Sequence, residues 1–100
     1  MIGISQDMDD RVVTTIKTLF HERMDEFGLS AVVVRAGEDL DGDPVIFIDA
    51  SFALKPRPIE SQPIFDLERS LRDALWAIGE RRFPHVLYKF DDAQTLARHR

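Results

Sequence analysis

The sequence predicts an α+β fold, a two-layer sandwich of order α-β-β-α-β with two helices packed on one face of a small three-stranded sheet. Three observations carry that prediction. Apolar residues recur at spacings of three and four in two stretches, one near the N-terminus and one in the second half. Between them lie two runs rich in β-branched residues, joined by an Asp-Gly turn, and a shorter run follows the second helix. Glycine and proline punctuate the boundaries of these runs. One hundred residues fit a single domain, 1–100, with a polar tail read as loose from about residue 92.

The first helix is expected to start at Asp7 as N-cap, with Asp9 and Asp10 in its first turn, where carboxylates meet the positive helix end. Met8, Val12, Ile16, Leu19, Phe20 and Phe27 form its apolar stripe, and Gly28 is placed to stop it. Lys17, His21, Glu22 and Asp25 form the wet face. Ser30 to Ala36 reads as the first strand. Val45 to Leu54 reads as the second, with Ile46, Ile48, Ala50, Phe52 and Leu54 on one face. Val45 and Phe47 share the other face with Asp49 and Ser51, so the hairpin is apolar on both sides near its turn.

Lys55 to Pro63 holds three prolines and reads as an extended connection. The second helix is expected from about Ile64 to Arg82, ended by Phe83-Pro84. Val86 to Phe90 reads as the third strand. A helix between strands allows a parallel crossover beside the first strand, but the sequence does not fix the place of the third strand in the sheet.

Composition sets limits on function. The chain is 44% hydrophobic and 31% charged, as in an ordinary folded domain. It has no cysteine, which excludes disulfides, thiolate metal sites and thiol nucleophiles. No apolar run approaches the ~20 residues of a membrane span. The start, MIGISQDMDD, lacks the pattern of a secretory leader, so a cytoplasmic protein is expected. A net charge of −5 argues against broad binding to a phosphate backbone.

The stretch EDLDGDPVIFIDA resembles half a calcium loop, with Asp39, Asp41 and Asp43 in alternation. Such a loop needs glycine at its sixth position and a bidentate Glu at its twelfth. Here those places hold Pro44 and Ala50. The residues therefore read as a hairpin turn and no metal site is assigned. Elsewhere there is no nucleophile elbow, phosphate loop or dinucleotide fingerprint. His21, His85 and His99 stand apart from one another, and no cofactor is implied.

The second helix carries the one surface that asks for a partner. Its core stripe is Ile64, Leu67, Leu71, Ala74, Leu75 and Ile78. Phe65, Arg69, Arg72 and Trp76 form a separate line at i, i+4, i+7 and i+11. Aromatic and arginine side chains are the types enriched at binding hot spots. Glu68 and Asp73 are placed to pair with these arginines.

At FPHVLYKFDDA the chain is similar to the ribosome-binding factor A family, which shares the α-β-β-α order and a final strand. Ala77-Ile78-Gly79 matches that family's Ala-x-Gly kink in letters. The resemblance implies a KH-like fold and a ribosomal RNA partner. The family has a further helix between kink and strand, for which Glu80 to Phe83 leave no room. DGDPVIFI with RSLRDAL and RFPHV also resembles small bacterial α/β proteins, a likeness that brings no function with it.

The first reading is a non-catalytic protein-interaction module, accessory or antitoxin-like, docking a partner or a second copy through Phe65, Arg69, Arg72 and Trp76. The alternative is an RNA- or ribosome-associated factor of KH-like shape, adding Arg81 and Arg82 to that line. The third is a small enzyme using His85 with Asp91 or Asp92.

Overall fold

The computed structural model describes residues 8–53 and 61–90. Helix α1 spans Asp10–Met24. Its N-cap is Asp9, not Asp7, which lies outside the described residues. Asp9 has extended backbone (φ −62°, ψ 135°), and its carboxylate accepts the Arg11 N–H at 2.8 Å. That satisfies one of the donors a helix start leaves free. Val12, Ile16, Phe20 and Met24 form the buried stripe. A 3-10 turn, Asp25–Phe27, then tightens the chain into Gly28.

Strands β1 (Leu29–Glu38) and β2 (Pro44–Phe52) form an antiparallel hairpin in which Val34 faces Ile48 and Ala36 faces Ile46. The turn between them is built on Asp39. Its Oδ1 accepts the N–H groups of Asp41 and Asp43, both at 2.9 Å, and its carbonyl accepts the Gly42 N–H at 3.0 Å. The acidic stretch therefore does turn a corner, with one aspartate pinning the backbone.

Helix α2 spans Ser61–Ala77, so it starts earlier and stops earlier than the sequence predicts. Residues 61–63 join its first turn instead of the extended connection; proline is tolerated there because the first N–H groups have no helical partner. The rest of the connection lies outside the described residues. The early stop is set by Gly79. Its N–H bonds to the Trp76 carbonyl at 3.0 Å, and the Glu80 N–H bonds to the Leu75 carbonyl at 2.9 Å. This double closure needs a left-handed residue, and Gly79 sits at φ +85°. Arg81 and Arg82 are therefore not helical.

Strand β3, Phe83–Phe90, begins three residues before the predicted Val86. It runs parallel to β2, pairing Ile48 with Val86 and Ala50 with Tyr88. The sheet order is β1-β2-β3. The sequence allows such a parallel crossover and leaves the neighbour open; the structure places β3 beside β2 and not β1. Placing β3 beside β1 would leave β2, the most apolar strand, at an edge. In the observed order Ile46, Ile48, Ala50 and Phe52 lie at the centre and are fully buried.

Both helices pack on that face of the sheet, giving two layers. Leu67, Leu71 and Leu75 of α2 meet Ile16, Phe20 and Met24 of α1 and the β2 side chains in one core. Arg23 Nη2 of α1 donates to Ser70 Oγ of α2 at 2.9 Å and ties the helices together at their rim. No helix among the described residues is long and apolar enough to cross a membrane.

Leu71→Ala is expected to cost about 2–5 kcal/mol in urea unfolding, the range for deleting a fully buried leucine side chain. Gly79→Ala, which touches no packed neighbour, is expected to cost about 1–2 kcal/mol in the same assay, through the left-handed backbone alone.

Candidate functional site

Four side chains predicted to share the outer line of α2 do so. Phe65 and Trp76 are each 63% exposed, and Arg69 and Arg72 are exposed between them. Eleven residues of helix separate the two rings by about 16 Å. The line lies well away from the buried Leu67, Leu71 and Leu75, as a 3.6-residue pitch requires. Neither Arg69 nor Arg72 makes an ion pair among the described residues. Glu68, read as a partner for them, instead accepts the Tyr88 hydroxyl at 2.7 Å.

The turn after α2 brings more to this surface. Arg81 lays its guanidinium over the Trp76 ring, 4.2 Å from the centroid. It is exposed and has no carboxylate partner among the described residues. Arg82 is occupied differently: its Nε and Nη2 donate to the two Glu80 oxygens at 2.8 Å, and its backbone N–H donates to the same carboxylate at 2.9 Å. Arg82 holds the Glu80 carboxyl below its usual range, and Glu80 in turn raises the Arg82 guanidinium. Of the two arginines added for an RNA partner, Arg81 is thus available and Arg82 is committed to the corner.

Two adjoining clefts lie between α2 and β3. One is lined by Glu68, Leu71 and Arg72 with Phe83, Pro84, His85 and Val86. The other is lined by Arg72, Leu75 and Trp76 with Arg81, Phe83 and Pro84, and is closed by Glu80 and Arg82. Arg72 belongs to both. Side chains of consecutive strand residues point to opposite faces. A cleft touching Phe83, Pro84, His85 and Val86 together therefore runs along the outer edge of β3, not over either face.

The sheet face away from the helices is also apolar. Val33, Phe83 and Leu87 are exposed there, while Val45 is buried, confirming a hairpin that is apolar on both sides. The Phe47 ring lies against Gly37 so closely that a Cβ on Gly37 would come within 2.4 Å of it. Arg35 sits 4.8 Å over the same ring. His85 stands 5.8 Å from Phe47 and makes an edge contact with Phe83 at 5.1 Å. The sequence reading left Phe83 off this face because it began the strand at Val86, and it assigned Leu87 to no face. Their signal was present: Phe83, His85, Leu87 and Lys89 alternate with Pro84, Val86, Tyr88 and Phe90.

His85 is thus an exposed ring packed between two phenylalanines. Asp91 and Asp92, its suggested catalytic partners, lie outside the described residues, as does His99. His21 bonds Asp25 at 2.8 Å one turn along α1. The Asp39, Asp41 and Asp43 carboxylates come within 4.8 Å of one another at the hairpin tip. Asp39 uses one of its oxygens to hold the turn. No protein-family model matches the chain, and neither a curated protein nor a solved structure matches it.

Burial, reinforced by the Glu68 carboxylate it donates to, pushes the Tyr88 hydroxyl far above its ordinary value. The folded state therefore holds this proton where the unfolded chain, with a pKa of about 10, gives it up. The contribution to stability is whole below pH about 10 and falls as pH rises beyond it. Tyr88→Phe is expected to lose about 1 kcal/mol at neutral pH and to flatten the alkaline decline, both read from urea unfolding across pH.

Proposed function

We propose that this chain is a non-catalytic protein-interaction module whose docking face centres on the outer side of α2. The observation that carries the reading is the pair of rings, Phe65 and Trp76, each nearly two-thirds exposed on one line with Arg69 and Arg72, which make no ion pair among the described residues. Large aromatics in water forgo the burial that stabilises the rest of the chain, while guanidinium groups between them supply direction and charge. A cytoplasmic accessory or antitoxin-like role, masking or organising a partner, fits a small domain whose polar clusters are spent on its own turns. Asp39 holds the hairpin, Glu80 and Arg82 hold the corner after α2, and Glu68 caps Tyr88.

A second reading, an RNA- or ribosome-associated factor, draws on one specific feature. Helix α2 stops at Ala77, the Ala77-Ile78-Gly79 segment turns with Gly79 left-handed, and Arg69, Arg72 and Arg81 have no carboxylate partners among the described residues. The net charge of −5 and the loss of Arg82 to Glu80 weigh against it.

A photo-crosslinking amino acid at Phe65, compared with one at the exposed Glu22 of α1, tests the first reading in cells of the source organism. Discrete adducts from position 65 alone, abolished by Arg69→Glu with Arg72→Glu, are expected. Equal labelling from both positions, or adducts only to RNA, would refute it.

A further inference from the structure

We propose that the cleft between α2 and β3 takes an extended segment of a partner protein as an added strand. In that segment acidic residues alternate with apolar ones. The inference rests on the interaction role above and names the kind of partner.

Three observations meet at this edge. The first is backbone geometry. The Ala53 N–H, just past β2, donates to the Gly28 carbonyl on the β1 side at 2.8 Å. Alternation along β2 then turns Val45, Phe47, Asp49 and Ser51 toward β1, and Ile46, Ile48, Ala50 and Phe52 toward β3. In the parallel ladder these bond the odd-numbered residues of β3. The even-numbered residues face outward. Pro84 agrees, because a proline inside a strand is accommodated where its missing N–H would face away from the ladder. Among the described residues β3 makes no backbone hydrogen bond except to β2. The outward carbonyl of Pro84 and the N–H and C=O groups of Val86 and Tyr88 form a ready edge for strand addition.

The second observation is the layer above that edge. From Glu68 to Trp76, α2 runs about 12 Å beside the cleft, and Phe83 to Val86 cover about 10 Å of it, enough for three or four extended residues. On this side stand the guanidinium groups of Arg72 and of Arg81, the latter stacked on Trp76, neither ion-paired among the described residues, in a chain with a net charge of −5. The Glu68 carboxylate, held by Tyr88, marks the far end and repels an acid there. Charge complementarity thus asks for acids at the end near Arg72 and Arg81.

The third observation is the layer below. The other side of an added strand would extend the open sheet face, beside the exposed Phe83 and Leu87. That side asks for apolar residues. Because strand side chains alternate between faces, the two demands together specify an acidic-apolar alternation.

The test is a titration of the 15N-labelled full chain with a synthetic octapeptide of alternating Glu and Val. The comparison probes are a Glu-Glu-Glu-Glu-Val-Val-Val-Val peptide, an alternating Lys-Val peptide and oligouridine. Saturable binding of the Glu-Val peptide is expected, with slowed hydrogen exchange at the Val86 and Tyr88 amides. Affinity should fall about fivefold on Arg72→Ala and on Arg81→Ala, and stay level on Lys17→Ala, a surface change on α1. No binding, equal binding of the blocked or Lys-Val peptide, preferential binding of oligouridine, or unchanged Val86 and Tyr88 amides would each overturn the proposal. Crosslinks from position 65 combined with any of those failures would refute strand addition alone and leave the interaction role standing.

Discussion

The fold depends on β2 being the middle strand. It pairs antiparallel with β1 on one side and parallel with β3 on the other, so its backbone groups are satisfied in both directions. Its core-facing side chains, Ile46, Ile48, Ala50 and Phe52, are fully buried against both helices. Each large one contributes about 1.5–3 kcal/mol by leaving water. The observed order gives that strand two neighbours and covers its core-facing side. The outer strands and the helices take their places around it.

That arrangement leaves one layer uncovered and one edge exposed. Both helices roof the same side of the sheet, so Val33, Phe83 and Leu87 face outward on the other. The protein limits the exposure locally. Phe47 lies over Gly37, where the absence of a side chain leaves room for the ring, and Arg35 shields its outer surface. Lys89 and Asp49, 3.4 Å apart, add a polar margin. At the β3 edge the protection is slighter: Pro84 removes one donor, but the residues after it keep theirs. The clefts under α2, with Arg72 between them, lie where this protection is weakest.

The corner after α2 links the fold to this surface. Gly79 closes the helix, the Glu80–Arg82 pair fixes the direction of departure, and Arg81 is left to stack on Trp76. Without the early stop, Arg81 and Arg82 would continue the helix and β3 would begin too late to place Phe83 in the cleft. One left-handed residue therefore sets which arginine is free and which is structural. The sequence reading carried the helix past Gly79 to Phe83-Pro84. Pro84 does not end the helix, because it lies inside β3.

What the sequence determined by itself was everything governed by local periodicity. The element order, the core stripe of α2, the exposed line of Phe65, Arg69, Arg72 and Trp76, the two-sided hairpin and the Asp39 turn all follow from pitch, pleat and turn chemistry acting over a few residues. Tertiary structure alone decided the neighbour of β3, the partner of Glu68 and the cleft shared by Arg72 and Phe83. Those are contacts between segments distant along the chain. They are chosen by which arrangement buries the most apolar surface and satisfies the most backbone, a comparison no single stretch of sequence contains.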